Sequence, residues 1–393
     1  IINLQKAVLK WLLFATFVSL FRINRNNMLK KIILFFVLVL AINGCTPSDE
    51  NETALTDNFD RVKLLINIAD NIIQPAYDDF SVKMGALKIA GEAFTDAPNQ
   101  SSLEVFRASW LSAYKIWQQI EMFDIGKAEE LQYKFYMNIY PVTVNDIQSN
   151  ISKGTYNLNS VNNQDAQGFS ALDYLLYGVA DSDVAILEKY TTEVNSGNLK
   201  KYITDILNQM NGLTAQVVSD FRTQRNSFVE STQNNATSVF NKLINDYIFY
   251  YEKGLRANKF GIPAGNFSAT PLPEKVEAFY RKDISKELAL EAIVAVQNIF
   301  EGKYYGSSEM GIGFKDYLIN LDRDDISTVV ISQLSSAKAE VEKLNTNFYT
   351  QINTDNSFMT KAYDELQKVV VLLKVDMLQA FNVNVDYVDA DGD

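Results

Sequence analysis

Residues 101–123 read SSLEVFRASWLSAYKIWQQIEMF, the stretch with the clearest helical period in the chain. Its apolar residues recur every three or four positions and form one wide stripe: Leu103, Phe106, Trp110, Ala113, Tyr114, Trp117 and Ile120. Ser101 and Glu104 fit a capping box, which predicts that the helix begins at Ser101. The pattern therefore predicts an amphipathic helix over residues 101–123.

The same period extends to most of the chain after residue 57. Asp60–Gly91 reads as a long helix with a kink or break at Pro75, because proline lacks the backbone N–H that a helix interior needs. Further helices are predicted over Asn198–Thr223, Thr237–Lys259, Lys286–Phe300, Ile326–Ile352 and Phe358–Leu378. No window alternates cleanly enough for a sheet. The predicted fold class is all-α, with antiparallel helical bundles.

The N-terminal region predicts export and a lipid anchor. After Met28 come two lysines, an apolar run from Ile32 to Ile42 and a single cysteine, Cys45, which together resemble a lipoprotein signal peptide over residues 28–45. Residues 1–27 are interpreted as translated sequence ahead of the true start, or else as an extra membrane segment. Residues 46–57 are interpreted as an acidic tether. We expect an outer-membrane lipoprotein of the cell envelope, held by lipidated Cys45 and either facing the periplasm or exposed at the surface.

The remaining chain is predicted to form two bundles, residues 58–260 and 261–393. Glycines and prolines cluster at Lys259–Pro273, which favours a boundary there, although a long shared helix could equally join the bundles. The formal net charge is −12, and the first 45 residues contain no acid, so the body is more acidic still. An acidic body disfavours nucleic acid as a partner.

The chain contains no histidine among its 393 residues. Histidine is the commonest protein ligand for transition metals and the commonest general base near neutral pH. Its absence excludes Ser-His-Asp and Cys-His catalysis and the usual zinc sites.

Several segments occur in an order that carries a family resemblance. They are Ala69–Ile73, Pro75–Tyr77, Arg107 with Trp110, Trp117 with Glu121 and Phe123, Ile139–Pro141, Gly168–Gly178, Gly261–Pro263, Val276–Tyr280, Gly311–Phe314, Leu373–Asp376 and Asp386–Asp389. From about Asn67 to its C-terminus the chain resembles the imelysin family, also called the M75 peptidases. The resemblance implies a fold of two helical bundles with internal pseudo-symmetry, a place in the cell envelope, and either peptidase activity or a link to iron uptake.

The family signature, Gly-x-His-x-x-Glu, is altered in this chain. Gly168 is kept, but Ser170 stands at the histidine position and Asp173 at the glutamate position. Residues three apart share a helix face, so Ser170 and Asp173 remain neighbours. With Glu121, the matching acid on another helix, and Arg107, they form the predicted ligand site. Asp173 and Glu121 are the candidate ligands for a divalent or ferric ion.

The same residues allow simpler interpretations. Ser170 and Asp173 fit the first turn of an ordinary helix, where caps and acids are favoured. Trp110, Trp117 and Tyr174 fit a helix core, or alternatively the wall of a cleft between the bundles.

Three functions remain open from sequence. The first is a non-catalytic binding module for iron, metal or nutrient acquisition, with a metal, a nutrient or a cell-envelope protein as its partner and with an altered metal site or none. The second is a divergent M75-type metallopeptidase with carboxylate ligands, and the third is a structural or adhesive surface protein.

Overall fold

The computed structural model describes residues 57–387, whose regular structure is helical. Within that range there is no strand, and Lys303 and Met310 form an isolated bridge. The predicted all-α class is confirmed. The signal peptide, Cys45 and almost all of the tether lie outside the described residues, so their predictions stay untested. No helix of residues 57–387 is long and apolar enough to cross a membrane.

The helices fall into two groups along the sequence. The first group comprises α1 (Arg61–Asn67), α2 (Gln74–Asp96), α3 (Gln100–Ile120), α4 (Lys127–Glu130), α5 (Tyr133–Met137), α6 (Val144–Lys153), α7 (Gly168–Asp173), α8 (Asp183–Thr191) and α9 (Ser196–Glu230). The second group comprises α10 (Val239–Phe249), α11 (Ile262–Ala264), α12 (Ser285–Glu301), α13 (Phe314–Asn320), α14 (Asp324–Glu342), α15 (Phe348–Asp355), α16 (Ser357–Val371) and α17 (Leu378–Phe381).

Wider π-helical turns and short 3₁₀ turns complete these helices. The π-helical turns are Ile68–Ile73, Tyr174–Gly178, Tyr250–Gly261 and Leu372–Met377, and the 3₁₀ turns are Val161–Ala166 and Pro273–Lys275. Each π-helical turn continues the α-helix before it, so the backbone stays hydrogen-bonded through the widening.

Helix α3 lies at the centre of the packing. It packs against α2, which also contacts α9, and on another side it packs against α12 of the second group. Its predicted apolar stripe is buried throughout, from Leu103 to Ile120. Burying such a stripe supplies most of the stability of an amphipathic helix.

Two predicted helices differ from the observed ones, and polar side chains near the helix ends explain both differences. Helix α3 begins one residue earlier than predicted, because the side chain of Asn99, not Ser101, accepts the Ser102 N–H and completes a capping box with Ser102. The predicted helix Ile326–Ile352 is two helices, α14 and α15. The break lies where Gln351 accepts the Asn345 N–H and Asn347 caps Thr350, which satisfies backbone groups outside the helix.

The predicted break at Pro75 is wrong, and the alternative of a kink stays a prediction. The chain stays helical from Arg61 to Asp96, with the π-helical turn Ile68–Ile73 just before the proline. Pro75 lies in the first turn of α2, and the widened turn accommodates its missing N–H.

One helical run passes through the predicted domain boundary. From Val239 to Ala264 the backbone is helical without interruption. The division at residues 260 and 261 stays a prediction.

Asn67 joins the beginning of the fold to a loop far along the sequence. Its amide nitrogen donates to the carbonyl oxygens of Gly302 (3.0 Å) and Ile312 (2.9 Å). Its amide oxygen accepts from Asn71 (2.9 Å). A side chain at Gly311 would collide with Asn67, so the loop approaches closely because that residue is glycine.

Candidate functional site

Gly168 places the start of α7 against the end of α5. Its φ is +77°, a conformation that favours glycine, and a Cβ atom would lie 2.3 Å from the Met137 carbonyl oxygen. Every residue from Gly168 to Asp173 is buried. The glycine thus delivers Ser170 and Asp173 to the protein interior.

Ser170 joins a network of buried polar side chains. Its hydroxyl donates to Asn138 Oδ1 at 2.9 Å, and Asn138 Nδ2 donates to Glu277 Oε1 at 2.9 Å. Glu277 Oε1 also accepts from Gln118 at 3.0 Å, and the Tyr114 hydroxyl lies 2.9 Å from it. The position where the family places its histidine is therefore tied to a carboxylate through an asparagine.

The charge of Glu277 is balanced by Lys259. The ammonium donates to Glu277 Oε2 and, at 2.7 Å, to Gln118 Oε1, and both charged side chains are almost completely buried. Because every oxygen of Glu277 has a donor, this buried pair meets the condition under which an interior ion pair is tolerated. The cluster is a closed and preorganised network.

Asp173 anchors the segment that follows Glu277. Its two carboxylate oxygens accept the backbone N–H groups of Tyr280 (2.8 Å) and Arg281 (2.9 Å). Burial raises the pKa of Asp173 to about 7, although these N–H groups and the Arg281 guanidinium act in the opposite direction. Asp173 therefore positions backbone, as well as presenting oxygens beside Ser170.

Glu121 lies at the end of α3, near Lys259. Burial raises its pKa to about 7, Lys259 lowers it and Glu277 raises it. The buried Tyr250 hydroxyl also lies near this carboxyl. The Lys259 ammonium therefore lies near both Glu121 and Glu277 but forms its ion pair with Glu277.

A cavity of about 280 Å³ opens beside Ser170 and Asp173. Its lining comes from residues near the end of α5, from α7 and from the segment before α12: Tyr140, Pro141, Val142, Ser170, Asp173, Glu274, Lys275, Val276, Ala278, Phe279 and Tyr280. Two of the predicted site residues thus meet in one concave site, and Glu121 is not part of its lining.

Arg107 and the predicted aromatics lie elsewhere. Arg107 donates to the Leu176 carbonyl oxygen and pairs with Asp183 at 2.9 Å, away from the cavity lining. Trp110 and Trp117 are buried in the core, and Trp110 donates to the Phe169 carbonyl oxygen. Tyr174 is buried and accepts from Gln148. These aromatic side chains pack in the helix core, which was the simpler interpretation, and none of them lines the cavity.

The polar groups at this site already have partners within the protein. The Ser170 hydroxyl donates to Asn138, both Asp173 oxygens accept backbone N–H groups, and the Lys259 ammonium already provides a cation beside the acids. Among residues 57–387 no group of three or more acidic or cysteine side chains is placed to hold a metal ion. A metal at Asp173 and Glu121 stays an untested prediction, and the proposals below do not use it.

Comparison with known proteins identifies the family of this chain and solved structures with the same fold. The imelysin family model (peptidase M75) matches residues 73–374, and the chain belongs to that family. Two solved structures share the fold. A protein assigned as an iron-regulated protein A precursor from Parabacteroides distasonis has a TM-score of 0.66 at 16% identity, over 82% of this chain and 95% of that one. An imelysin-like protein from Psychrobacter arcticum has a TM-score of 0.64 at 16% identity, over 83% of this chain and 97% of that one. No curated protein matches the sequence.

Sequence reasoning missed Asn138, Gln118, Lys259 and Glu277 as members of the site. Lys259 and Glu277 lie within or beside segments that carry the family resemblance, but the family motif does not single them out. A lysine within a run of buried residues, between Leu255 and Phe260, is the signal that could have indicated an interior charge.

Proposed function

We propose that this protein is a lipid-anchored protein of the cell envelope that binds a small ligand without catalysing a reaction, in the service of iron or other nutrient uptake. Membership of the imelysin family supports the general role, and the fold is shared with a protein described as iron-regulated. The lipid anchor rests on the sequence of residues 28–45.

The network at Ser170 carries this proposal. To act as a nucleophile or a general base, a side chain must be free to exchange a proton during the reaction. The Ser170 hydroxyl instead donates to Asn138, which is itself bound to a carboxylate neutralised by Lys259. The proton of the Ser170 hydroxyl is therefore held in a hydrogen bond within the protein, while the adjacent cavity of about 280 Å³ still offers room for a ligand.

A ligand screen on the purified protein tests the proposal. Thermal unfolding is measured against a panel of small nutrients and ferric complexes, in wild type and in Val142→Trp, which places a large side chain into the cavity lining. We expect at least one compound to raise the melting temperature of the wild type alone. A panel with no stabilising compound contradicts the binding role.

A peptide-library digest tests the non-catalytic part. We expect no cleavage with or without added divalent ions. Cleavage that chelators abolish and that Asp173→Ala removes would establish the metallopeptidase alternative instead.

Membrane fractionation tests the anchor. The wild type is expected in the membrane fraction, and Cys45→Ser is expected to release it to the soluble envelope fraction. Release of both forms alike would contradict a lipid anchor at Cys45.

A further inference from the structure

The cavity beside Ser170 and Asp173 has opposite hydrogen-bonding character at its two ends. Ser170 and Asp173 form its floor, where they are 5% and 2% exposed. Lys275 lines it closer to solvent and is half-buried, whereas the Tyr140 hydroxyl lies deeper, near Glu277 and Glu121. The polar groups on the floor can still accept hydrogen bonds, whereas the rim can still donate them.

With Asp173 ionised, the floor offers acceptors only. The single hydroxyl hydrogen of Ser170 goes to Asn138, so its oxygen has lone pairs to spare but nothing left to donate. Each oxygen of Asp173 accepts one backbone N–H, which leaves further lone pairs on both. A ligand group that reaches the floor must therefore donate hydrogen bonds, as a hydroxyl or an ammonium does.

The rim offers a donor. Among residues 57–387, the Lys275 ammonium makes no hydrogen bond or ion pair, although Lys275 lines the cavity. A half-buried ammonium without a partner is well placed to receive a carboxylate. Glu274, the acid next to Lys275 in this lining, is exposed, so water screens its charge.

Aromatic rings lie between the two ends. Tyr140, Phe279 and Tyr280 line the cavity, and the Tyr280 ring is held edge-on by Tyr174 with centroids 5.0 Å apart. Such rings pack against an apolar or aromatic body at little entropic cost.

We infer that the cavity binds a small carboxylic acid that carries a hydroxyl or an ammonium next to its carboxylate. The carboxylate meets Lys275, and the neighbouring donor reaches Asp173 and Ser170. This inference rests on the proposed binding function and specifies its ligand class.

Four compounds with one common ring separate the two ends of the cavity. Phenylalanine and phenyllactate carry both the carboxylate and a donor, hydrocinnamate lacks the donor, and phenethylamine lacks the carboxylate. Titration calorimetry is expected to show the first two binding at least about tenfold more tightly than the last two, because an unmet buried acceptor or charge costs about 1–3 kcal/mol. Equal affinity for all four, or tightest binding of phenethylamine, overturns the inference.

Variants assign each end. Lys275→Met is expected to weaken phenylalanine and phenyllactate about tenfold and to leave phenethylamine unchanged. The matched control is Lys282→Met on the same segment, whose ammonium lies over the Phe279 and Tyr349 rings and is not part of the lining. An effect of Lys282→Met equal to that of Lys275→Met, or no effect of either, contradicts the assignment.

Ser170→Ala tests the contact at the floor without removing a charge. It is expected to weaken phenyllactate binding severalfold while the protein stays folded by circular dichroism. If none of the four compounds binds, but Val142→Trp abolishes binding of some other compound in the screen, the ligand class is wrong and the binding function stands. If no compound of any class binds, both fall.

Discussion

The Lys259 ammonium and the Glu277 carboxylate form an ion pair inside the protein, where the two side chains are 2% and 3% exposed. One partner comes from a π-helical turn and the other from the segment before α12, so the pair fixes the segment that lines the cavity. Removing either partner leaves the other charge buried. We expect Lys259→Met and Glu277→Gln each to lower the free energy of unfolding by about 3–5 kcal/mol.

The double variant is the informative control for this pair. Because it leaves neither charge behind, its loss of stability should be clearly smaller than the sum of the two single losses. Urea unfolding of the four proteins measures the coupling. Simple additivity would show that the two side chains have no coupling energy and would contradict a stabilising ion pair.

Gly168 is predicted to be intolerant of a side chain. In Gly168→Ala the new Cβ would lie 2.3 Å from the Met137 carbonyl oxygen, in a backbone conformation with φ of +77°. We expect a loss of about 1–3 kcal/mol or more, measured by urea unfolding. Gly85→Ala in α2 is the matched control, since no neighbouring atom lies within 4 Å of its Cβ, and it should gain about 0.5–1 kcal/mol. Similar losses at both positions would contradict the steric explanation.

Asp173→Asn is predicted to loosen the segment that lines the cavity. An asparagine oxygen can accept only one of the two N–H groups of Tyr280 and Arg281, and its amide nitrogen faces the other. Hydrogen exchange at these two amides should accelerate about tenfold or more. Asp183→Asn, the same change at the exposed pair with Arg107, should leave their exchange unaltered. Unchanged exchange in Asp173→Asn would exclude the anchoring role.

Asp246 is predicted to make stability depend on pH. Burial, and then the nearby Asp124 carboxylate, raise its pKa from 3.8 to about 8, while Lys134 lowers it and Asp386 and Glu129 raise it further. The folded state therefore keeps a proton that the unfolded state releases near its ordinary pKa, so this carboxyl costs stability as the pH rises from about 4 through about 8.

The matching variant is Asp246→Asn. Its gain in unfolding free energy over the wild type should be near zero at about pH 4 and reach about 1–3 kcal/mol by about pH 9, measured by urea unfolding across the range. Asp181→Asn removes an exposed carboxyl and should show no such trend. A gain that grows toward acidic pH would reverse the assignment.

The helices could be predicted from the sequence because their cause is local. The stripe from Leu103 to Ile120 has the period of a helix and is buried throughout. Helix ends were less predictable, since the Asn99 cap competes with Ser101 over two residues and only the folded geometry decides between them. The π-helical turn before Pro75 accommodates the missing N–H group of the proline, and no simple sequence pattern predicts such a turn.

The candidate site was predictable only in part. Ser170 and Asp173 were found because a family motif marks their positions, and they do line one cavity. Their partners come from elements far apart in the sequence: Gln118 from α3, Asn138 from the end of α5, and Lys259 and Glu277 from the second half of the chain. A single polar residue in an apolar segment has no local sign of its partner, so the network becomes visible only in three dimensions.

The side chain of Asn67 has a consequence for the order in which the protein is made. Its acceptors, Gly302 and Ile312, are synthesised 235 and 245 residues after it. Until they emerge, α1 has no docking site for this side chain, and a ribosome-bound fragment cannot complete the N-terminal part of the fold. The chain therefore reaches its final structure only after the loop from Gly302 to Ile312 has been translated, so the first and second groups of helices complete their folding together.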